Sequence, residues 1–277
     1  MVGETTGSTR LAVDRYGSLL TTARLPGDGW RLQHDALKWR IHQDCREQHV
    51  GIITEAYGLF SARIPQAGRS SLSREPVRKR QGLVPDFMLR ADIDGPERPL
   101  LLELKTLHHG TSTYPFTAQR CEAVARRARA LPAEYASKAT RVDRQYCGTP
   151  EGEIGPVARR LQSFEAVRGL VFGAWGECSP DVEKLLSWLA GVGAVRHWRG
   201  MGCRDETGAR GILAWYLRRR WALTAMREHA RLKLGRLQFV GRGAGRAALR
   251  RSDAHAAWSA RSAAQACASA SVGVRRQ

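Results

Sequence analysis

The chain has 277 residues, of which 43% are hydrophobic, and a sequence of this length can bury one sizeable core. Its 45 lysines and arginines outnumber 26 aspartates and glutamates, which gives a formal charge of +19 at pH 7. Such a charge attracts polyanions and favours nucleic acid as the partner, with a basic surface that only maintains solubility as the competing explanation.

No segment of the sequence reaches the ~20 consecutive apolar residues that cross a bilayer, and the N-terminal stretch lacks the apolar region of a secretory signal. The six cysteines are scattered, without the paired spacing of a structural zinc site. We therefore expect a soluble, intracellular protein of the nucleus or cytoplasm, with no membrane partner.

The composition changes at both ends of the chain. Residues 1–29 are rich in Gly, Thr and Ser and end in a Pro-Gly-Asp-Gly turn, which predicts a flexible leader. Residues 242–277 are mostly Ala, Arg and Ser with few large apolar residues, which predicts a basic disordered tail. Residues 30–241 are expected to form one domain with a helical extension at its C-terminal end.

Residue patterns predict the elements of this domain in chain order. Apolar residues at three-to-four spacing predict a helix over 30–46, and β-branched and aromatic residues predict a strand over 50–60. A loop over 61–82 follows. The remaining predictions are a strand over 83–93, a turn at Asp94-Gly95, a strand over 99–107, a helix over 117–146 kinked or interrupted at Pro132, a short helix over 156–164, a strand over 168–175, and helices over 181–190 and 208–234. This order predicts an α/β fold with a mixed central sheet flanked by helices.

Basic and amide side chains are placed where a phosphate backbone could lie. The predicted loop carries Arg78-Lys79-Arg80, and the long helix begins around Gln119 and Arg120 and continues to Lys138. We interpret these residues as candidate nucleic-acid contacts. A solvated loop and an ordinary helix surface are the competing explanations.

Three charged residues gather around the predicted hairpin. Side chains alternate along a strand, so Glu103 and Lys105 emerge on one face while the alternating leucines point to the other. A two-residue turn pairs Asp86 with Glu103. Pro96 lacks an N–H and favours a four-residue loop, which pairs Asp86 with Lys105 instead. Both registers keep the three side chains on one face, whereas a three-residue loop or a bulge would separate them.

Two carboxylates and an amine on one face favour a site for Mg²⁺ or Mn²⁺. Asp86, Glu103 and the backbone carbonyl of Leu104 would supply oxygen ligands. Such an ion polarises a phosphodiester and lowers the pKa of a bound water, while Lys105 orients that water or offsets charge on phosphorus. The competing explanation is an amphipathic hairpin whose charged face meets water.

Pro85-Asp86, sixteen intervening residues and then Glu103-Leu104-Lys105 resemble the motif of the PD-(D/E)XK nuclease superfamily. The order of elements over roughly residues 30–178 is similar to its common core. The resemblance implies a restriction-endonuclease-like fold and Mg²⁺-dependent hydrolysis of DNA, or less often RNA, that leaves a 5′-phosphate. More loosely, the chain is similar to restriction-endonuclease-like proteins associated with mobile elements.

The resemblance also implies a further acidic residue from the first helix or strand. Glu55 is the best match, ahead of His34 and Asp35. Motif and charge together predict a metal-dependent nuclease acting on nucleic acid. The alternative is a non-catalytic nucleic-acid-binding protein that kept the fold and the charge, and a basic scaffold for acidic proteins is a third possibility.

Aromatic residues in the C-terminal half allow two interpretations. Trp175 and the run that contains Trp215, Tyr216 and Trp221 could stack on bases. Because tryptophan usually buries its large ring, we expect these residues in the core instead.

Overall fold

A computed structural model describes residues 20, 29–56, 58–74, 83–89, 99–108 and 120–237. Several predictions lie outside these residues. They concern most of the leader, the basic cluster Arg78-Lys79-Arg80, the Asp94-Gly95 turn, Gln119, and the tail over 242–277.

The described residues form six α-helices and a four-stranded mixed sheet, so the predicted α/β class with helices around a mixed sheet is confirmed. The elements are α1 (Gly29–Glu47), β1 (Ile52–Thr54), a 3₁₀ helix (Ser61–Arg63), α2 (Gln66–Arg74), β2 (Phe87–Leu89), β3 (Leu100–Thr106), α3 (Arg120–Cys147), α4 (Pro156–Gln162), β4 (Val167–Phe172), α5 (Pro180–His197) and α6 (Glu206–Arg236).

The strands lie in the order β1-β2-β3-β4, with the first two pairs antiparallel and β3-β4 parallel. Phe87 pairs with Leu102, so the register expected from a two-residue turn is confirmed, and Asp86 lies one step before Phe87, level with Glu103. The register that Pro96 favoured, with Asp86 opposite Lys105, is wrong. β2 therefore runs away from the end of the sheet toward which β3 and β4 run, and Asp86 precedes β2 on the side of that end. This end, marked by Asp86, Thr106 and Phe172, is called the carboxylate end.

Both faces of β3 are covered by helices. Leu100, Leu102 and Leu104 pack in a core with apolar side chains of α1, α5 and α6. On the opposite face, Leu101 packs with Tyr135 and neighbouring residues of α3. The face that carries Glu103 and Lys105 is therefore also partly apolar, because Leu101 is fully buried there. A crossover helix that returns to a parallel strand covers the face it crosses.

Three predicted boundaries change in the N-terminal half, and one of them is the second strand, which begins at Phe87 instead of Leu83. The first strand ends at Thr54, so Glu55 follows the strand instead of lying in it. Its φ of 47° falls in the left-handed region, which is uncommon for a residue other than glycine. The predicted loop over 61–82 contains the 3₁₀ helix and α2. Its proline and glycine lie at or near the helix start, where they do not break the helix interior.

The long helix α3 continues through Pro132 without the predicted interruption. Proline removes one backbone donor and crowds the preceding turn. Leu131 and Tyr135 on either side are buried against the sheet, and this packing holds the helix together.

Contacts divide the chain into two compact units. The first comprises Arg31–His229 and contains the whole sheet. In the second, Arg236 donates a hydrogen bond to the carbonyl of Leu20 at 2.9 Å, and its guanidinium lies 4.2 Å from the centroid of the Trp30 ring. Across the described ranges, no helix combines the length and hydropathy of a membrane span.

Candidate active site

Asp86 is held by backbone groups on both of its sides. Its carbonyl accepts a hydrogen bond from the Glu55 N–H at 3.0 Å, and its carboxylate accepts one from the Leu104 N–H at 2.8 Å. The preceding Pro85 has no N–H, so the regular ladder begins only after it. The acid is therefore fixed in direction at the carboxylate end of the sheet.

Helix α1 directs two cationic side chains toward Asp86. Nε2 of His34 lies 3.3 Å from Oδ1 of Asp86, and Nζ of Lys38 lies 3.9 Å from the same oxygen. Residues four apart share one face of a helix, which explains why both reach the same acid. Lys38 also forms an ion pair with Glu55, so Glu55 joins the site through this lysine.

These contacts determine the charge on Asp86. Burial alone would raise its pKa, but the hydrogen bond and charge of His34, then the Leu104 N–H and the charge of Lys105, hold the pKa below its usual value. Burial would lower the pKa of His34, and Asp86 outweighs this, so the pKa of His34 lies above 6.5. Asp86 is consequently a carboxylate at neutral pH.

Glu103 is buried beneath α3, with only 6% of its surface exposed. It accepts hydrogen bonds from the Tyr135 hydroxyl and from the Lys105 amine. Burial, followed by the charge and hydrogen bond of Glu103, raises the pKa of Tyr135, so this phenol remains a donor. The buried position of Glu103 is not that of an amphipathic hairpin whose charged face simply meets water.

The structure brings Asp86, Glu103 and Lys105 together at one end of the sheet. The charges of both acids raise the pKa of Tyr135, and the charge of Lys105 lowers that of Asp86, so the four side chains share one electrostatic environment. The side chain of Lys105 is 34% exposed, against 7% for Glu103. The amine therefore lies between a buried acid and solvent.

Two of the predicted nucleic-acid contacts, Lys138 and Arg120, lie among the described residues. Lys138 is one turn beyond Tyr135 on α3, with its amine 5.4 Å from the centroid of that ring, so it borders the site. Arg120 forms an ion pair with Glu177 at 3.1 Å. The sequence interpretation missed Lys38 and Tyr135. The four-residue spacing of His34 and Lys38 was a usable signal, whereas nothing local distinguishes Tyr135 from a core residue.

The chain matches no protein-family model and no curated protein.

Within the described ranges, no three His, Cys, Asp or Glu side chains converge as a ready ligand group for a metal ion. Mg²⁺ does not need such a group, because it binds through one or two carboxylates and completes its shell with waters and substrate phosphates. A strand residue turns its N–H and C=O toward the same neighbour, so the Leu104 carbonyl faces the Asp86 side. Asp86, Glu103 and this carbonyl carry the hard oxygen atoms that Mg²⁺ or Mn²⁺ prefers as ligands.

Replacing His34 with glutamine should destabilise the protein more at about pH 6 than at about pH 9. The stabilisation from His34 is fully present below its usual pKa of 6.5 and is lost as pH rises through the raised folded-state pKa. The stabilisation from Asp86 is present above its usual pKa of 3.8 and is lost as pH falls through its lowered folded-state pKa. Thermal unfolding in the presence of a chelator should show that His34→Gln lowers the free energy of unfolding by about 1 kcal/mol near pH 6 and by less near pH 9.

His42 on the same helix is the matched control. Burial and then the charge of Arg46 lower its pKa, so His42→Gln should not lose more stability in mild acid than in alkali. If His34→Gln lost the same stability at both pH values, the ion pair with Asp86 would make no contribution.

Proposed function

We propose that the protein is a Mg²⁺- or Mn²⁺-dependent nuclease with a restriction-endonuclease-like core of the PD-(D/E)XK type. It hydrolyses phosphodiester bonds of nucleic acid, with DNA as the proposed substrate. The observation that carries this proposal is the placement of two largely buried acids, Asp86 just before β2 and Glu103 in the neighbouring strand β3, with the more exposed Lys105 paired to Glu103. Burying acids together is costly, so such a pair favours a cation-binding role.

Each protein group has a distinct task in this reaction. Asp86, Glu103 and the Leu104 carbonyl would hold the ion, which polarises the phosphodiester and lowers the pKa of a bound water. Tyr135 orients Glu103, and His34 with Lys38 orients Asp86. Lys105 is the most exposed of the three motif side chains, so it can reach a phosphate and offset the charge that builds on phosphorus.

A basic cleft supports nucleic acid as the substrate. A cleft of about 310 Å³ between the 3₁₀ helix and α4 is lined by Arg63, Arg159, Arg160, Pro156 and Ser163. Three arginines and no acid in this lining suit the phosphates of a polymer. With a formal charge of +19, the chain has the electrostatics that favour binding to a polyanion.

The direct test is nicking of supercoiled plasmid, compared with linear DNA and with RNA. We expect nicking in Mg²⁺ or Mn²⁺ and none in EDTA, while DNA binding persists in EDTA. Salt-sensitive binding without nicking in either metal would leave the alternative, a non-catalytic nucleic-acid-binding protein. Failure to bind DNA even at low salt would favour a basic scaffold for acidic proteins.

A further inference from the structure

The turn after β4 is held in one conformation by several polar contacts. The Gly173 N–H donates to the Glu177 carbonyl at 2.8 Å, and the Trp175 N–H donates to the Glu177 carboxylate at 3.1 Å. The other carboxylate oxygen of Glu177 pairs with Arg120 of α3. Gly176 has a φ of 89°, a conformation that glycine adopts without strain. The indole of Trp175 is therefore carried on a fixed turn.

Trp175 is exposed instead of lying in the core. Its exposed fraction is 49%, and the Arg120 guanidinium lies 5.9 Å from the ring centroid. The expectation that Trp175 would be buried is therefore wrong. A large ring that is carried on a fixed backbone turn and left half open to solvent gains by covering its surface with a ligand.

The turn lies at the carboxylate end of the sheet. β4 terminates at Phe172, which pairs with Thr106, the residue after Lys105. Trp175 is three residues further along, which limits its backbone to about 10 Å from Phe172. A single strand bound with its phosphate at Asp86 and Glu103 would thus bring bases a few nucleotides away within reach of the indole.

We propose that Trp175 stacks on an unpaired base a few nucleotides from the cleaved phosphate, so that the substrate carries a single-stranded segment. This rests on the proposed nuclease function for the position of the phosphate. Bases inside a duplex have their faces covered by their neighbours, whereas an unstacked base offers its face to an aromatic ring. Arg120 is paired with Glu177, so its role is to position the ring.

The test is binding without cleavage. A fluorescently labelled DNA of about ten nucleotides, single-stranded or duplex, is titrated in EDTA against wild type, Trp175→Ala and Trp175→Phe. Loss of one stacking contact should weaken single-strand binding by about 5- to 100-fold in Trp175→Ala. Trp175→Phe should lose less single-strand affinity than Trp175→Ala. The duplex affinity of both variants should stay within about twofold of wild type.

Trp198→Ala is the matched control, because Trp198 also carries an arginine over its ring, with Arg199 at 5.0 Å. It follows α5, whose Arg196 donates to the carbonyl of Gln48 at 2.6 Å, just past the end of α1 and about 20 Å along that helix from His34. This variant should bind single strands like wild type. Unchanged single-strand affinity in Trp175→Ala, or equal losses for single strand and duplex, would overturn the proposal.

Two further outcomes keep the proposals separate. If Trp175→Ala does not fold, photo-cross-linking of wild type to a 5-iodouracil single strand decides: labelling at Trp175 supports the inference, and labelling only elsewhere overturns it. Binding is measured in EDTA, where no cleavage is expected. A negative result in this binding test therefore does not affect the conclusion drawn from the plasmid nicking assay. If the protein does not nick plasmid but its single-strand affinity depends on Trp175, the proposed nuclease function is rejected and the proposed stacking site is supported.

Discussion

Replacing Asp86 with asparagine should lower Mg²⁺-dependent plasmid nicking by about 100- to 1,000-fold while DNA affinity changes by less than about twofold. Asparagine has the shape of aspartate and keeps an oxygen that can accept the Leu104 N–H, which Asp86 accepts at 2.8 Å. It lacks the charge. Stabilisation by a bound cation amounts to several kcal/mol in the transition state, and each 1.36 kcal/mol is about tenfold in rate.

Glu103→Gln should cause a loss of the same order. Glutamine can still accept the Tyr135 hydroxyl, so the contact between β3 and α3 is kept and only the charge is removed. Because the two acids act on one ion, the double variant should be little worse than either single variant. The readout is the initial nicking rate at saturating Mg²⁺.

Glu134 supplies the matched control. It neighbours Tyr135 on α3, and its pKa is lowered first by the hydrogen bond from Arg127 and also by the charges of Lys138 and Lys105. It is thus an acid beside the site but outside the proposed ligand set. Glu134→Gln should keep nicking within about threefold of wild type. Nicking by Asp86→Asn at the wild-type rate would reject the catalytic assignment.

Replacing Trp221 with alanine should lower the free energy of unfolding by about 3–5 kcal/mol. Trp221 is fully buried and lies in the core formed by α1, α5, α6 and the sheet. Its indole N–H donates to Oδ2 of Asp44 at 2.6 Å, so the substitution also removes a partner from a buried acid. Arg220 remains paired with Asp44 at 2.7 Å and limits this second loss.

Trp215 on the same helix is the comparison, because it is 58% exposed. Trp215→Ala removes an exposed ring and its contact with the Arg219 guanidinium, which lies 5.3 Å from the ring centroid, so the loss should be at most about 1 kcal/mol. Urea unfolding followed by circular dichroism measures both. Similar losses in the two variants would show that α6 does not close the core through Trp221.

The aromatic residues show where local patterns mislead. All four were expected in the core, and Trp221 lies there, whereas Trp175, Trp215 and Tyr216 are about half exposed. A hydrophobic residue type indicates that burial is favourable but not whether a neighbouring element is placed to cover it. For α6, the side chains toward the sheet are covered and those on the far side are not.

The sequence by itself determined the basic charge, the α/β class and the alternation that places Glu103 and Lys105 on one face of β3. These follow from composition and from the period of a strand, which are local properties. It also allowed the register that places Asp86 beside Glu103, since a tight turn pairs residues at equal distances from its centre.

Only the tertiary structure decided which groups surround those acids. Tyr135 reaches Glu103 across 32 residues of sequence, and Lys38 reaches Glu55 across 17. Such contacts depend on which helix packs on which face of the sheet, and the spacing of residues within one element does not contain that information. The same packing buried Glu103, brought His34 to Asp86 and left Trp175 open to solvent.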